Sequence, residues 1–357
     1  MLMRTIDWSD EKGCVTIIDQ TALPLKLALI DIYHINALND AILRLKVRGA
    51  PALGAAGGFG VALLARTIKA EDYREELIKE TESLKRVRPT AVNLSWGADR
   101  VLTKALTGRD RAEIETLALA EAKALADEDV AQCRAIGEHG AALLRSGDTV
   151  MTHCNAGRLA CVDWGTALGV IRSAIEQGKD IKVISCETRP LNQGSRITCF
   201  ELMEDRIPVT LITDSMAGHV MRQGKVDKVI VGADRIVEDA VFNKIGTYSH
   251  SVLAKAHGIP FYVAAPLSTF DFRHAEKDVV IEERDPEELR RWNGTQIAPA
   301  GVPAFNPAFD ATPMENVTAV ITEQGVFKPP LPFTGLKKSS SLKRYIKDKP
   351  EGVRDGI

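Results

Sequence analysis

From residue 149 onward the chain repeats one pattern: a short apolar run, a polar turn, then apolar residues at helical spacing. The runs fall at Thr149–Met151, Ile181–Ser185, Val209–Thr213, Val229–Val231 and Phe261–Ala264, with a last at Val317–Thr322. Alternating strands and helices imply parallel strands joined by crossover helices, a doubly wound sheet. Ligands of such sheets lie beyond the carboxyl ends of the strands. The turns there are the richest polar stretches of the chain: THCNAG after the first run, CETRPLNQGSR after the second, TDSMAG after the third, GADR after the fourth and APLSTFD after the fifth.

The first part of the chain reads differently. Ile6–Asp19 alternates around a DEKG turn and predicts a small hairpin, and Ile30–Leu45 carries apolar residues at helical spacing. Val47-Arg48-Gly49-Ala50-Pro51 then runs into a helical stretch, Ala55–Ala65. Pro51 suits a first helical turn, where its missing N–H costs nothing. Arg48 and Gly49 just before that start make a candidate anion site, with backbone amides beside a guanidinium that grips phosphate in a fork. Glycines 54, 57, 58 and 60 do not fit GxGxxG; close helix packing is the other reading for them. Ala70–Leu84 predicts a solvated helix, and Arg88 sits at the proline break after it. Asp110–Arg145 predicts a long alanine-rich helix, broken near Gly137 and Gly140.

Apolar residues make up 45% of the 357, enough for two cores, and a formal charge of −2 gives no electrostatic case for nucleic acid or a membrane surface. No apolar run approaches the ~20 residues that span a bilayer, and the opening residues lack the apolar core of a signal peptide. Six cysteines without a CxxC pair argue against structural zinc or a disulfide framework, and for a reducing cytoplasm. We expect an N-terminal domain over 1–125, a sheet domain over 126–327 and a loosely ordered basic tail over 328–357.

Among chemistry-bearing residues, Cys154 reads as lying near a helix start, where the dipole favours thiolate; simple burial is the alternative. Asp234 of GADR is either a working acid or a structural one at a strand end. Asn243 and Lys244 are expected to open the next helix, and a lysine there opposes the dipole unless an anion lies between. His153 is read as a packed histidine, Cys161 and Cys186 as packing residues, and Ile281–Arg291 as a charged helix.

Taken in order, VRGAPALG, RPTAVNL, THCNAG with GTALGVI, ETRPLNQGSR, GADR, NKIGTY and PFYVAAPLSTFD resemble the methylthioribose-1-phosphate isomerases, relatives of the regulatory subunits of translation initiation factor 2B. The likeness runs from Ile6 to Phe327. It implies a Rossmann-like parallel-sheet C-terminal domain with a smaller, mostly helical N-terminal domain. It also implies a homodimer and isomerisation of an aldose 1-phosphate to a ketose 1-phosphate in methionine salvage. No metal or nucleotide cofactor is implied. By motif, Cys154 and Asp234 become the catalytic pair; Arg48, Gly49, Ala50, Arg88, Gln193, Asn243 and Lys244 become the substrate-binding positions. One departure stands out: between GADR and NKIGTY the family's asparagine-glycine-aspartate turn is replaced by a shorter segment, residues 236–242. Sister activities on 5-deoxyribose 1-phosphate or ribose 1,5-bisphosphate, and a non-catalytic regulatory role, are the competing expectations.

Overall fold

The computed structural model describes residues 3–339, with Thr90 and Asn293 excepted. Three antiparallel strands open the chain: β1 (Ile6–Ser9), β2 (Cys14–Ile18) and β3 (Leu29–Ile32). The single helix expected over Ile30–Leu45 is therefore divided. Ile30 pairs with Ile17 and Ile32 with Val15, and α1 (Ile35–Leu43) begins only afterwards. A short apolar run takes the conformation its neighbours offer, and here that is a strand edge.

Helices α2 (Ala50–Thr67), α3 (Tyr73–Lys85), α4 (Val92–Ala105) and α5 (Arg111–Ala141) complete the N-terminal part. α2 is buried from Ala52 to Ala65 and is the axis of this core, with Phe59, Leu63 and Leu64 fully enclosed. Its glycines serve packing: a Cβ on Gly57 would run into the Leu94 carbonyl of α4. Asp110 caps α5 by accepting the Glu113 N–H at 2.9 Å. Ile114 to Ala126 of α5 join the N-terminal core, whereas Ile136 and Ala141 join the core of the sheet. Along α5 the change of core falls between Ala126 and Ile136.

The sheet region follows in regular order: β4 (Thr149–Thr152), α6 (Ala167–Glu176), β5 (Lys182–Cys186), α7 (Cys199–Glu204), β6 (Val209–Ile212), α8 (Ala217–Arg222) and β7 (Lys228–Val231). A hairpin of β8 (Arg235–Ile236) and β9 (Ala240–Lys244) leads to α9 (Thr247–Ala256) and β10 (Phe261–Ala264). α10 (Glu287–Arg290), β11 (Arg291–Trp292), β12 (Thr295–Gln296) and β13 (Phe309–Pro313) form an excursion before β14 (Ala319–Thr322), β15 (Gly325–Phe327) and α11 (Phe333–Ser339).

The seven-stranded order is β15-β14-β10-β7-β4-β5-β6, parallel except for β15. Alternate residues feed opposite faces, as the strand period of two requires. Val150, Ile230 and Ala264 enter one core, while Met151, Val229 and Val263 enter the other. Succession runs β4-β5-β6 to one side and β7-β10-β14 to the other. The order therefore reverses between β4 and β7, which is where a crevice opens in such sheets.

Three helical expectations are corrected by the fold. α5 runs unbroken through Gly137 and Gly140; a Cβ at Gly140 would strike Val170, so the glycine admits α6 rather than ending α5. The helix expected directly after THCNAG starts at Ala167 instead. The buried Glu201 carboxylate takes the Arg158 and Leu159 N–H groups at 2.8 and 3.0 Å, and Asp129 takes that of Val162 at 2.7 Å, so these amides bond acids instead of helix carbonyls. Only Glu287–Arg290 of the expected charged helix is helical. In the tail, Leu331 and Leu336 are buried against the sheet's core around α11, so its first residues are docked. Residues 340–357 of that tail lie outside the described residues.

Candidate active site

Cys154 follows β4 and Asp234 follows β7, the two neighbouring strands that flank the reversal. Both line one crevice, partly open to solvent. Arg48, Gly49, Ala50, Arg88, Gln193, Asn243 and Lys244 line it too, so all nine residues singled out in the sequence come together. The N-terminal domain supplies Arg48, Gly49 and Ala50 from the start of α2. Gly49 stands at φ 96° with the Ala160 backbone pressed against its α-carbon, a place with no room for a side chain.

Cys154 is held in a left-handed conformation at φ 63°. Its N–H donates to Thr188 Oγ1 at 2.8 Å, and its carbonyl accepts from Thr198 Oγ1 at 2.6 Å. Strain of this kind persists only where surrounding bonds over-determine it. The sulfur does not sit at a helix start, because α6 begins at Ala167. What favours a thiolate is instead a pair of cations. Burial pushes the Cys154 thiol up, and Arg48 and Lys244 pull against that.

Desolvation likewise raises the Asp234 carboxyl, opposed by Lys244, Arg88 and Arg48, and burial pulls the Lys244 ammonium down. Lys244 ends strand β9 rather than opening a helix. Its Nζ donates to the Ala308 carbonyl at 2.8 Å and lies 4.8 Å from the Phe309 ring centroid. Asn243 Nδ2 donates to Thr247 Oγ1 at 3.0 Å. Gln193 is buried, and its Oε1 has no partner in the described residues, an acceptor free for a ligand hydroxyl.

Arg48 is anchored before any ligand arrives. Its Nε donates to Gln20 Oε1 at 3.0 Å, and its two terminal nitrogens donate to the carbonyl and side-chain oxygens of Asn155. Asn155 in turn donates to Glu201 at 2.9 Å, and Glu201 is ion-paired with Arg172 at 2.9 Å. A buried network thus fixes the residue next to Cys154 and the guanidinium beside it.

A second hollow opens from the same crevice, sharing Gly49, Ala50, Arg88, Asp234 and Phe309. Its remaining wall sets Leu53, Ala91, Val92, Phe242, Val279 and Ile281 beside the polar Asn93 and Arg235. The arginines at its rim are engaged, Arg88 with Glu282 at 3.3 Å and Arg235 with Asp271 at 3.5 Å. The short segment 236–242 forms the compact β8–β9 hairpin, which carries Phe242 into this wall.

Residues 46–329 match the initiation factor 2 subunit family. A methylthioribose-1-phosphate isomerase of Heliobacterium modesticaldum is 53% identical over 92% of this chain and 96% of its own. The chain belongs to the methylthioribose-1-phosphate isomerase family. Within the wider family, a 5-deoxyribose 1-phosphate isomerase of Moorella thermoacetica is 51% identical, covering 91% of this chain and 94% of its own. The crystal structure of 5-methylthioribose 1-phosphate isomerase from Pyrococcus horikoshii superposes with a TM-score of 0.84 at 42% identity, covering 97% and 96% of the two chains. The crystal structure of the delta subunit of translation initiation factor eIF-2B from A. fulgidus superposes with a TM-score of 0.83 at 58% identity, covering 97% and 100%.

Several residues of this isomerase-family crevice escaped the sequence reading. Asn155 stands inside THCNAG with no signal of its own, Arg284 lies within the stretch expected as a charged helix, and Phe309 begins β13. Nothing local marks Glu201 or Gln20, since each acts through partners distant in sequence. His153 behaves as a packed histidine: it is buried, outside the crevice lining, and bonds the Ile245 carbonyl at 2.8 Å. Burial lowers it to about 4.

Proposed function

We infer that the chain isomerises 5-methylthioribose 1-phosphate to 5-methylthioribulose 1-phosphate, the aldose–ketose step of methionine salvage. The observation that carries the reading is the shared crevice at the sheet reversal. It holds a thiol and a carboxylic acid together with Arg48 and Lys244, and it opens into a hollow with apolar side chains on one wall. The phosphate is assigned to the cationic side near the start of α2, and the 5-substituent to the hollow. A 5-phosphate would meet arginines already neutralised by Glu282 and Asp271, which disfavours the bisphosphate substrate.

The substrate's C1 carries phosphate, so the ring must open with the ester intact. Asp234, kept protonated by desolvation, donates to the ring oxygen as the bond from C1 breaks. Cys154 as thiolate removes the C2 proton, giving an enol phosphate. The 2-hydroxyl then returns a proton to Asp234 as the thiol delivers its proton to C1, and the pair is regenerated. Arg48 and Lys244 offset the negative charge that accumulates near the phosphate.

A homodimer is the assembly we assign, supported by the open sheet edge at β6 and the exposed Met203, Leu211 and Met216 near it. A cytoplasmic location fits the free cysteines; no helix among the described residues is long and apolar enough to cross a membrane. Assays with the 5-methylthio, 5-deoxy and 5-phospho sugars, read by NMR for a C2 ketone, test the assignment. A 5-methylthio preference is expected. The methylthio group adds two heavy atoms, and each methylene-sized group in an apolar pocket is worth about 1–3 kcal/mol, so the 5-deoxy compound should react more slowly rather than not at all. Preference for the bisphosphate would overturn the reading.

A further inference from the structure

Directly behind Cys154, outside the crevice lining, four donor side chains converge from four elements. His153 follows β4, Cys186 ends β5, Asp214 follows β6 and His250 lies in α9. One ligand atom from each lies within 4.8 Å of all the others. His153 Nδ1 is 3.1 Å from His250 Nε2 and 3.7 Å from Asp214 Oδ1. Zinc–nitrogen bonds of about 2.0–2.1 Å put tetrahedral donors roughly 3.4 Å apart, so these spacings already approach a coordination shell.

We propose that His153, Cys186, Asp214 and His250 form a closed four-donor site for a divalent cation of the zinc class, stapling the ends of three adjacent strands beneath Cys154.

Two features beyond proximity support it, the orientation of His153 and that of Asp214. His153 Nε2–H donates to the Ile245 carbonyl, which leaves Nδ1 with the lone pair turned toward the cluster. A ligating histidine commonly has its other nitrogen fixed by a backbone carbonyl in this way. Asp214 is oriented by two amides, Thr188 N–H on Oδ1 and Arg189 N–H on Oδ2, both at 2.8 Å. His250 Nδ1 is buried without a partner in the described residues. Without an ion, the proton between the rings belongs to His250 Nε2. Binding moves it to Nδ1 and replaces the inter-ring hydrogen bond with two metal–nitrogen bonds, and the Cys186 thiol releases its proton to solvent as sulfur joins the metal. The mixed nitrogen, sulfur and oxygen set suits zinc better than magnesium or calcium.

The site escapes a search for CxxC spacing because each ligand comes from a different strand end or helix. Thr188 ties it to the chemistry: its Oγ1 accepts the Cys154 N–H at 2.8 Å and lies 3.5 Å from His153 Nδ1. An ion there would stiffen the turn that carries the thiol without entering the crevice.

The test is Co²⁺ titration of the chelator-treated full-length protein, followed by optical spectroscopy. The expected result is one equivalent bound with intense tetrahedral bands and a sulfur-to-cobalt charge-transfer band, both bleached by Zn²⁺, which also raises Tm. Cys186→Ala should lose the charge-transfer band, and His250→Leu should lose the tetrahedral intensity. Cys161→Ala separates this site from the buried Asp129, Cys133 and Cys161 group, and should leave both signals intact. Failure of the wild-type protein to bind, a weak octahedral spectrum without sulfur charge transfer, or bands lost in Cys161→Ala would each overturn the proposal. The wild-type spectrum and Cys161→Ala decide the matter even if Cys186→Ala does not fold.

Discussion

Behind the crevice, Glu201 and Arg172 are both almost fully buried and fully engaged; inside it, Asp234, Lys244 and Cys154 are desolvated but differently partnered. Glu201 accepts from Asn155, from two backbone amides and from Arg172, and despite its burial these partners hold it below the usual carboxylate range. Asp234 goes the other way, raised by desolvation, while Lys244 donates to a carbonyl rather than to a carboxylate. A saturated network keeps its charges and fixes geometry. A crevice whose buried groups are incompletely compensated leaves protons near the point of exchange, which is what acid–base chemistry needs.

Substitutions can break that contrast. The largest effect is expected in the crevice: Asp234→Asn should lower kcat by about 10²–10⁴-fold while leaving Tm near that of the wild type, measured by steady-state kinetics and calorimetry. Glu201→Ala should do the reverse in kind. Removing one member of a buried ion pair costs about 3–5 kcal/mol, seen as a lower denaturant midpoint, with activity lost through unfolding and a displaced Arg48.

Asp129 sharpens the contrast, because it is a buried acid outside both regions, raised by desolvation to about 7. Its folded pKa lies above the unfolded value, so the folded state binds the extra proton and stability falls as pH rises from about 4 to 7. Asp129→Asn keeps an oxygen for the Val162 N–H and removes the ionisation. It should stabilise the protein at pH 8 by on the order of 2–4 kcal/mol and have little effect at pH 4, read from denaturant curves at the two values. The smallest effect is expected in the hollow. Ile281→Ala should weaken the preference for 5-methylthio over 5-deoxy substrate by about tenfold or less, as a ratio of kcat/KM values.

Much of this contrast was legible in the chain. Strand runs such as Lys228–Val231 and Phe261–Ala264 are short, apolar and flanked by turns, so periodicity finds them, and the β–α alternation fixes where their polar ends gather. The motifs at those ends brought Cys154 and Asp234 forward. What stayed hidden depends on distant partners. The amides of Arg158 and Leu159 bond Glu201 instead of a helix, Ile30 pairs with Ile17, and Arg48 leans on Gln20 and Asn155. Local propensity carries no trace of such long-range bonds. His250 and Cys186 meet only because the sheet brings their elements together.

The central claim is that protons pass between substrate, Cys154 and Asp234 within one crevice. Substrate deuterated at C2, turned over in ordinary water by wild-type protein and by Cys154→Ser, tests it most directly. The expected outcome is a slowed wild-type reaction whose C1 carries some solvent hydrogen, and almost no turnover in the variant. Complete transfer of deuterium to C1 together with undiminished turnover in Cys154→Ser would contradict the account.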